Sequence, residues 1–179
     1  MLQFNNSGII SMQKHFYQDP TRWALTFQTY VQLTMLEQHL HKQTKPIKLM
    51  ERSIYSAKYC FVENLYENGI MPELEYLVLT KWFDWIVKNQ DTHLDLIVYL
   101  QTTPETVYHR INKRCRQEEK SIPLDYLTSL HNLHEDWLIH RTKFPVSCPV
   151  LVLDGNGTET EMIDQYEAHK RQILCQQSW

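Results

Sequence analysis

Short apolar runs alternate along the chain with longer stretches in which apolar residues recur at helical spacing. Three runs predict strands: residues 47–50 (IKLM), residues 94–100 (LDLIVYL) and Val150–Asp154 (VLVLD). The last two are almost continuously apolar, which favours strands that are covered on both faces, as in a parallel sheet. Because helical stretches separate the runs, the pattern predicts an α/β fold: a parallel sheet flanked by helices.

Capping signals mark where several helices begin and end. Asp19 before Pro20 and Thr103 before Pro104 are typical helix starts, and Gly69 predicts the end of the helix before it. Helical stretches are predicted from Asp19 to about residue 42, from Thr103 onward, and over residues 53–69, 72–90, 123–141 and 158–174.

Length and charge limit the class of protein. The 179 residues suit a single domain spanning residues 1–179, with 42% hydrophobic and 22% charged residues. The formal net charge of −3 provides no overall attraction to nucleic acid or to an acidic membrane, and neither is expected as a partner. The four cysteines form no CxxC pair, which indicates reduced thiols.

The sequence Glu51-Arg52-Ser53 follows the first predicted strand. In open α/β sheets, ligands bind beyond the carboxyl ends of the strands. An arginine binds phosphate or carboxylate through a planar fork of donors, and a glutamate can hold magnesium through water. The alternative is a helix N-terminus capped by Ser53, with a surface ion pair beside it.

Basic residues cluster near the end of the helix that begins at Pro104. Arg110 and Arg114 are four residues apart and share a helix face, with Lys113 and Arg116 close by. Such a cluster can clamp phosphates during their transfer. The alternative is a solvated helix face, and an RNA-binding patch is disfavoured because no aromatic residues are interleaved.

An apolar stripe with one amide marks the first long helix. Phe27, Val31 and Met35 lie on one face, with Gln28 among them and Phe61 on the following helix. A side-chain amide both donates and accepts hydrogen bonds, which matches the edge of a pyrimidine base. The alternative is that the stripe belongs to the core. A zinc site at His131, His134 and Glu135 is not predicted, because the HExxH pattern is absent.

Five stretches, in this order, resemble the deoxyribonucleoside kinases: YQDPTRWALTFQTYVQLTML, LMERSIYSAKYCFVENLY, DLIVYLQTTPETVYHRINKRCRQEE, IPLDYLTSLHNLHEDWLIH and VLVLD. The resemblance runs from about Tyr17 onward and is strongest to the branch of mitochondrial thymidine kinase and the insect multisubstrate enzyme. It implies a P-loop-kinase-like fold. It also implies transfer of the ATP γ-phosphoryl group, aided by Mg²⁺, to the 5′-hydroxyl of a pyrimidine-leaning deoxynucleoside in nucleotide salvage.

The resemblance also implies roles for individual residues. Gln28 would pair with the base edge and Phe61 would stack on the base. The sugar 3′-hydroxyl would be held by Tyr17 and Glu119, and the walls of the base pocket would be Phe27, Val31, Met35 and Ala57. Arg52 and Glu51 would be the catalytic pair, with Glu51 helping to bind Mg²⁺. The lid over ATP would carry Arg110, Arg114 and Arg116.

The sequence departs from the family pattern in its phosphate-binding loop. A loop of the form GxxxxGK[ST] cradles the ATP phosphates, and no Gly-Lys pair occurs in this chain. We therefore expect the N-terminal strands, the P-loop and the general base of the family to be missing, and kinase activity to be impaired. The alternative function is a non-catalytic relative that binds nucleosides or dimerises.

Partners and compartment are expected from the same resemblance. A deoxynucleoside and a second copy of the chain are the expected partners. The resemblance implies a mitochondrial or cytoplasmic compartment. The opening residues MLQFNNSGII are typical of neither a secretory signal nor a transit peptide.

Overall fold

The computed structural model describes residues 6–116, Glu119 and residues 122–175, with side chains from Met12 onward. The α-helices in this part of the chain are α1 (Asn6–Gln18), α2 (Pro20–Leu40), α3 (Ile54–Ser56), α4 (Glu63–Glu67), α5 (Glu73–Asn89), α6 (Pro104–Arg114), α7 (Leu124–His134), α8 (Glu159–Ala168) and α9 (Lys170–Ile173). Two π-helical segments, π1 (Ala57–Val62) and π2 (Glu135–Ile139), continue α3 and α7.

Two strands within the described residues pair in parallel. They are β1 (Ile97–Gln101) and β2 (Val150–Asp154), and their register places the first residues of both strands opposite each other. Strand β2 has the predicted bounds, whereas β1 begins three residues later than predicted. Helices precede, separate and follow the two strands. The α/β prediction with a parallel sheet is confirmed.

The predicted strand at residues 47–50 is wrong. These residues adopt no strand, and the Leu49 side chain is 72% exposed. A strand is stabilised by backbone hydrogen bonds to a neighbouring strand. In the described part of the chain, β1 and β2 pair with each other, so the apolar character of residues 47–50 is not matched by a pairing partner.

The predicted helix caps are confirmed. The Asp19 carboxylate accepts a hydrogen bond of 3.1 Å from the Arg22 N–H, and α2 begins at Pro20. Thr103 accepts from the Thr106 N–H at 3.4 Å. Gly69 has a positive φ of 67° and follows the end of α4. Short-range hydrogen-bonding chemistry therefore sets these boundaries.

Other helical features were not predicted from the sequence. Helix α1 was missed, and both π-helical segments were read as ordinary helix. The predicted C-terminal helix divides into α8 and α9 at His169. None of the helices that the structure describes has the length and apolar character needed to cross a membrane.

The chain divides into two compact units. The first comprises Met1–Lys42, Leu49–Thr92 and Cys115–Ile122. Within it, α2 packs on α1, on α5 and on π1. Its hydrophobic core is formed by Phe16, Ala24, Val62, Leu65, Met71 and Leu79.

The second unit comprises Gln43–Lys48, His93–Arg114 and Pro123–Trp179. It contains the parallel strands, where Leu151 and Leu153 of β2 are buried. The Glu135 carboxylate on π2 accepts hydrogen bonds from the β1 side chains Tyr99, at 2.7 Å, and Gln101, at 2.8 Å. These bonds fix π2 to the sheet.

Candidate functional site

Gln28 is a buried amide with an unsatisfied oxygen. Its side chain lies on α2 and is 3% exposed, and its Oε1 has no hydrogen-bond partner among the described residues. Leaving a buried polar group unpaired costs about 1–3 kcal/mol, so such groups are rare in native proteins. An acceptor without a partner can take a hydrogen bond from a ligand that donates an N–H group.

Gln32, one turn further along α2, has the opposite character. It is equally buried, at 3% exposure, but its Nε2 donates to the Leu79 carbonyl oxygen of α5 at 3.3 Å. This amide joins two helices of the core. Gln32 therefore has a structural role, whereas Gln28, on the same helix, is a candidate for recognition of a ligand.

Phe27 lies beside Gln28 and packs toward α1. Its ring stacks on the buried Phe16 ring, with centroids 4.7 Å apart and planes 18° apart. Tyr17 packs against the same core, and its ring centroid lies 5.5 Å from that of Phe16. Phe27 also lines a cavity of about 150 Å³ between α1 and α2, together with Met12, His15, Trp23 and Thr26.

The π1 segment carries two of the residues that the sequence assigns to the base pocket. Ala57 is its first residue and is buried, and Phe61 is partly buried. π-Helical turns inside α-helices occur frequently at functional sites. Val31 and Met35 are also partly buried, on α2, and α2 packs on π1. These residues therefore belong to two elements that are packed together.

Arg52 contacts Phe61, which the sequence did not predict. The guanidinium carbon lies 4.6 Å from the centroid of the Phe61 ring, a cation–π geometry. Arg52 also has a φ of 66°, in the left-handed region that a non-glycine residue rarely adopts. Strained backbone of this kind clusters at active sites and ligand clamps.

The expected position of Glu51 and Arg52 at a strand end is wrong, because residues 47–50 form no strand. Both side chains are exposed and immediately precede the helix cap. Ser53 and Ser56 form that cap reciprocally: the Ser53 N–H donates to Ser56 Oγ at 3.0 Å, and Ser53 Oγ accepts from the Ser56 N–H. The capping alternative for Ser53 is therefore confirmed.

We predict that Arg52→Gly is more stable than Arg52→Ala, by about 1 kcal/mol, because glycine adopts the left-handed conformation without the 1–2 kcal/mol penalty of other residues. Both variants lose the contact with Phe61, so the difference between them reports the free-energy cost of the left-handed backbone conformation at residue 52. Urea unfolding of the two purified variants measures the difference. An alanine variant as stable as the glycine variant would show that residue 52 is not left-handed in solution.

Two buried charged side chains and a partly buried phenol form a network that sequence reasoning missed. Lys58, on π1, is 2% exposed and lies 3.3 Å from the Glu63 carboxylate, which is also buried. The Tyr76 hydroxyl donates to the same carboxylate oxygen at 2.9 Å. Burial and this hydrogen bond raise the pKa of Tyr76 to about 12, so the phenol stays protonated at neutral pH.

Arg116 and Glu119 form an ion pair, with 3.4 Å between Arg116 Nη1 and Glu119 Oε1. The arginine side chain is 57% exposed and the glutamate 14% exposed. An ion pair with one exposed partner contributes little to stability. The structure thus brings a predicted lid residue to a predicted sugar-binding residue.

Arg110 binds the loop that follows β2. Its Nη1 donates to the Gly155 carbonyl at 2.6 Å and its Nη2 to the Gly157 carbonyl at 2.7 Å. Arg114 ends α6 and is exposed. Both arginines belong to the second unit, whereas Arg116 belongs to the first.

The described residues contain no group of three His, Cys, Asp or Glu side chains that could enclose a metal ion. Mg²⁺ binds through one or two carboxylates together with substrate phosphates, so it does not require such a group. The exposed carboxylate of Glu51 is compatible with that type of site.

Comparison with known proteins places the chain in a family. The family described as deoxynucleoside kinase matches residues 3–177. The chain is 55% identical over 158 residues to mitochondrial thymidine kinase 2 of Homo sapiens, covering 88% of this chain and 60% of that protein. The corresponding protein of Macaca fascicularis is 56% identical over 158 residues, with the same coverage of 88% and 60%.

A second group of relatives consists of deoxycytidine kinases. The human protein is 42% identical over 182 residues, covering 94% of this chain and 68% of the relative. The chain therefore spans about 60% of the length of the thymidine kinases that it matches. On the match across residues 3–177, the chain belongs to the deoxynucleoside kinase family.

Proposed function

We propose that this chain carries the deoxynucleoside site of a kinase that transfers the γ-phosphoryl group of ATP to the 5′-hydroxyl of a pyrimidine-leaning deoxynucleoside, in nucleotide salvage. The buried, unpaired Oε1 of Gln28 carries the proposal, since it is suited to accept from an N–H of a base. Family membership supports the reaction, and the names of the relatives include both thymidine and deoxycytidine.

The proposed substrate contacts extend from Gln28 across α2 and π1. Phe61 stacks on the base, and Arg52, whose guanidinium already lies against that ring, acts at the 5′-hydroxyl with Glu51. The sugar 3′-hydroxyl is held by Tyr17 and Glu119. The remaining pocket walls are Phe27, Val31, Met35 and Ala57.

The lid arginines act on ATP. Arg110, Arg114 and Arg116 would neutralise phosphate charge during transfer. Arg110 donates to two carbonyl groups in this structure, so it would exchange those bonds for phosphate oxygens. Glu51 would help to hold Mg²⁺ together with the ATP phosphates, and the ion would supply further charge neutralisation.

The names of the relatives support a proposal for the compartment. Because the thymidine kinase 2 relatives are named as mitochondrial, we place the activity in mitochondria, with the cytoplasm as the alternative. Fractionation of cells that express the native gene tests this assignment.

Calorimetric titration tests the proposed substrate class. The purified chain is expected to bind thymidine and deoxycytidine and to bind deoxyadenosine more weakly, because an amide and a small apolar pocket match a pyrimidine edge. Failure to bind any deoxynucleoside would contradict the proposal.

The alternative function, a relative that dimerises without catalysis, needs a surface for a second copy, and one exposed surface is suited to this. An apolar stripe on α5 is formed by Leu74, Leu77, Val78, Trp82 and Trp85, which are between 43% and 73% exposed. Their spacing of three and four residues places them along one helix face. Contiguous exposed apolar surface of this kind marks interaction sites.

A second copy of this chain fits the stripe. In an antiparallel pair of α5 helices, Leu74 lies opposite Trp85 and Leu77 opposite Trp82, so small and large side chains alternate. The first turn of α5 carries Glu73 and the last turn carries Lys88, so the antiparallel arrangement also brings opposite charges together. Such a self-complementary contact is typical of a twofold dimer. A homodimer is compatible with either function.

We predict that Trp82→Glu converts a dimer into a monomer, because the new carboxylate would be buried in the apolar contact. Sedimentation velocity on the purified chain measures the change. Ile163→Glu on α8 is the matched control, since Ile163 is 52% exposed and lies outside the stripe. A wild-type chain that remains monomeric at all concentrations, or a Trp82→Glu variant that remains dimeric, would contradict the proposed interface.

A further inference from the structure

Lys58, Glu63 and Tyr76 bond to one another inside the first unit. Lys58 Nζ donates to the Glu63 carboxylate at 3.3 Å and to the Tyr76 hydroxyl at 3.2 Å. The Tyr76 hydroxyl in turn donates to Glu63 at 2.9 Å. Lys58 Nζ also lies 4.3 Å from the centroid of the Tyr76 ring. We call these three residues the buried triad.

The ion pair of the buried triad depends on the π-helical turn. Lys58 and Glu63 are five residues apart. In an α-helix with 3.6 residues per turn, residues five apart project about 140° away from each other. A π turn, whose hydrogen bond joins residues five apart, brings them onto one face. The Glu63 N–H does bond to the Lys58 carbonyl, so backbone and side chains join the same two residues.

Stability alone does not explain the buried triad. Removing two charges from water costs several kcal/mol per ion, and replacing a buried ion pair with apolar residues is often neutral or stabilising. The best-attested use of such a pair is to select one structural register over another. Here the alternative register is an ordinary α-helix through residues 57–63.

Tyr76, the third member of the buried triad, bonds to the π turn from a different helix. Tyr76 lies on α5, and its ring stacks on Tyr66 of α4 with centroids 4.1 Å apart. The hydroxyl is therefore held in place by a second contact. The buried triad ties π1 to α5 at the point where the helix changes register.

The residues of π1 that line the proposed base pocket lie within this turn. Ala57 immediately precedes Lys58, and Phe61 lies between Lys58 and Glu63. Loss of one residue from the turn rotates the flanking helix by about 100°. The direction of the Phe61 ring relative to Ala57 and to its Arg52 contact therefore depends on the π register.

We propose that the buried triad is a positioning device that holds residues 57–62 in the π register and so sets the base pocket. The claim about the pocket depends on the proposed function, whereas the claim about the register does not. Lys58, Glu63 and Tyr76 act through Ala57 and Phe61 and do not touch the substrate themselves.

A set of variants of the full chain tests this role. Lys58→Met takes the positive charge away from the buried Glu63 carboxylate and is expected to lower the melting temperature strongly. The double variant Lys58→Met with Glu63→Met removes both charges, so its melting temperature is expected to return to near that of wild type. Its affinity for thymidine is expected to fall at least tenfold. The exchanged pair, Lys58→Glu with Glu63→Lys, is expected to recover part of that affinity.

Two measurements distinguish an effect on the helical register of residues 57–63 from an effect on the base pocket. A crystal structure of the double variant is expected to show an α-helical turn at residues 57–63, and calorimetry gives the affinity for thymidine. Leu153→Ala, a buried substitution on β2 outside the first unit, is the control for lost stability and is expected to keep its affinity.

A stable double variant that retains the π turn would overturn the inference, whatever its affinity. A double variant with an α turn but unchanged thymidine affinity would overturn the link to the pocket. If the wild-type chain binds no deoxynucleoside, the proposed function fails, and the crystal structure still decides the register.

Discussion

Expressed by itself, the 179-residue chain is expected to phosphorylate thymidine at least about 10³-fold more slowly than human thymidine kinase 2. Its glycines, at positions 8, 69, 155 and 157, form no GxxxxGK[ST] pattern. Removing a single donor to a developing charge already costs about 10²–10³ in turnover, and a phosphate cradle supplies several donors. A coupled assay of ADP release with thymidine, ATP and Mg²⁺ measures the rate.

Thymidine binding serves as the control for that assay, because it shows that the chain is folded and that its pocket is formed. Turnover within tenfold of the human enzyme would contradict the expectation. The lid arginines Arg110, Arg114 and Arg116 would then suffice to position the phosphates.

Gln28→Leu is expected to weaken thymidine binding by about 5- to 150-fold, which corresponds to the 1–3 kcal/mol of an unpaired buried partner. The free energy of unfolding is expected to stay the same or to increase, because the substitution removes a buried oxygen that has no partner in the free protein. Calorimetry and urea unfolding on the same preparation measure both quantities.

Gln32→Leu is the matched control on the same helix. It removes the hydrogen bond to the Leu79 carbonyl, so it is expected to lower the free energy of unfolding by about 0.5–1.5 kcal/mol. Its thymidine affinity is expected to remain near that of wild type. Loss of affinity in proportion to lost stability in both variants would assign Gln28 to the core.

Features of the fold that depend on neighbouring residues in the sequence were predictable. The Asp19–Pro20 and Thr103–Pro104 starts depend on hydrogen bonds within one turn, and β2 is an apolar run whose ends are marked by its own residues. The run at residues 47–50 has a similar apolar pattern, but a strand forms only when a second segment pairs with it. The apolar pattern of one segment does not show whether such a partner exists.

The π turns could not be read from hydrophobic spacing, because each is a single short turn and one additional residue looks like an ordinary irregularity in the apolar pattern of the helix. A signal was nevertheless present at π1. Lys58 and Glu63 are oppositely charged residues five apart that flank an apolar run, a spacing that an α-helix cannot pair. The contribution of Tyr76 depends on how α5 packs, so it required the structure.

The burial of one candidate site residue could be predicted from the local pattern. A lone amide on an apolar stripe made Gln28 a candidate for base recognition, and the structure buries its side chain. The contact between Arg52 and Phe61 depends on a left-handed residue before the helix cap. No local sequence preference predicts an arginine in that conformation.

The most direct test of the central claim, that Gln28 reads the edge of a pyrimidine base, is a comparison of thymidine with N3-methylthymidine. The methyl group removes the N–H that would donate to Gln28 Oε1. Calorimetry on the wild-type chain is expected to show a loss of about tenfold or more on methylation, and Gln28→Leu is expected to show little difference between the two ligands. Equal discrimination by both proteins would mean that the Gln28 amide does not contact the base.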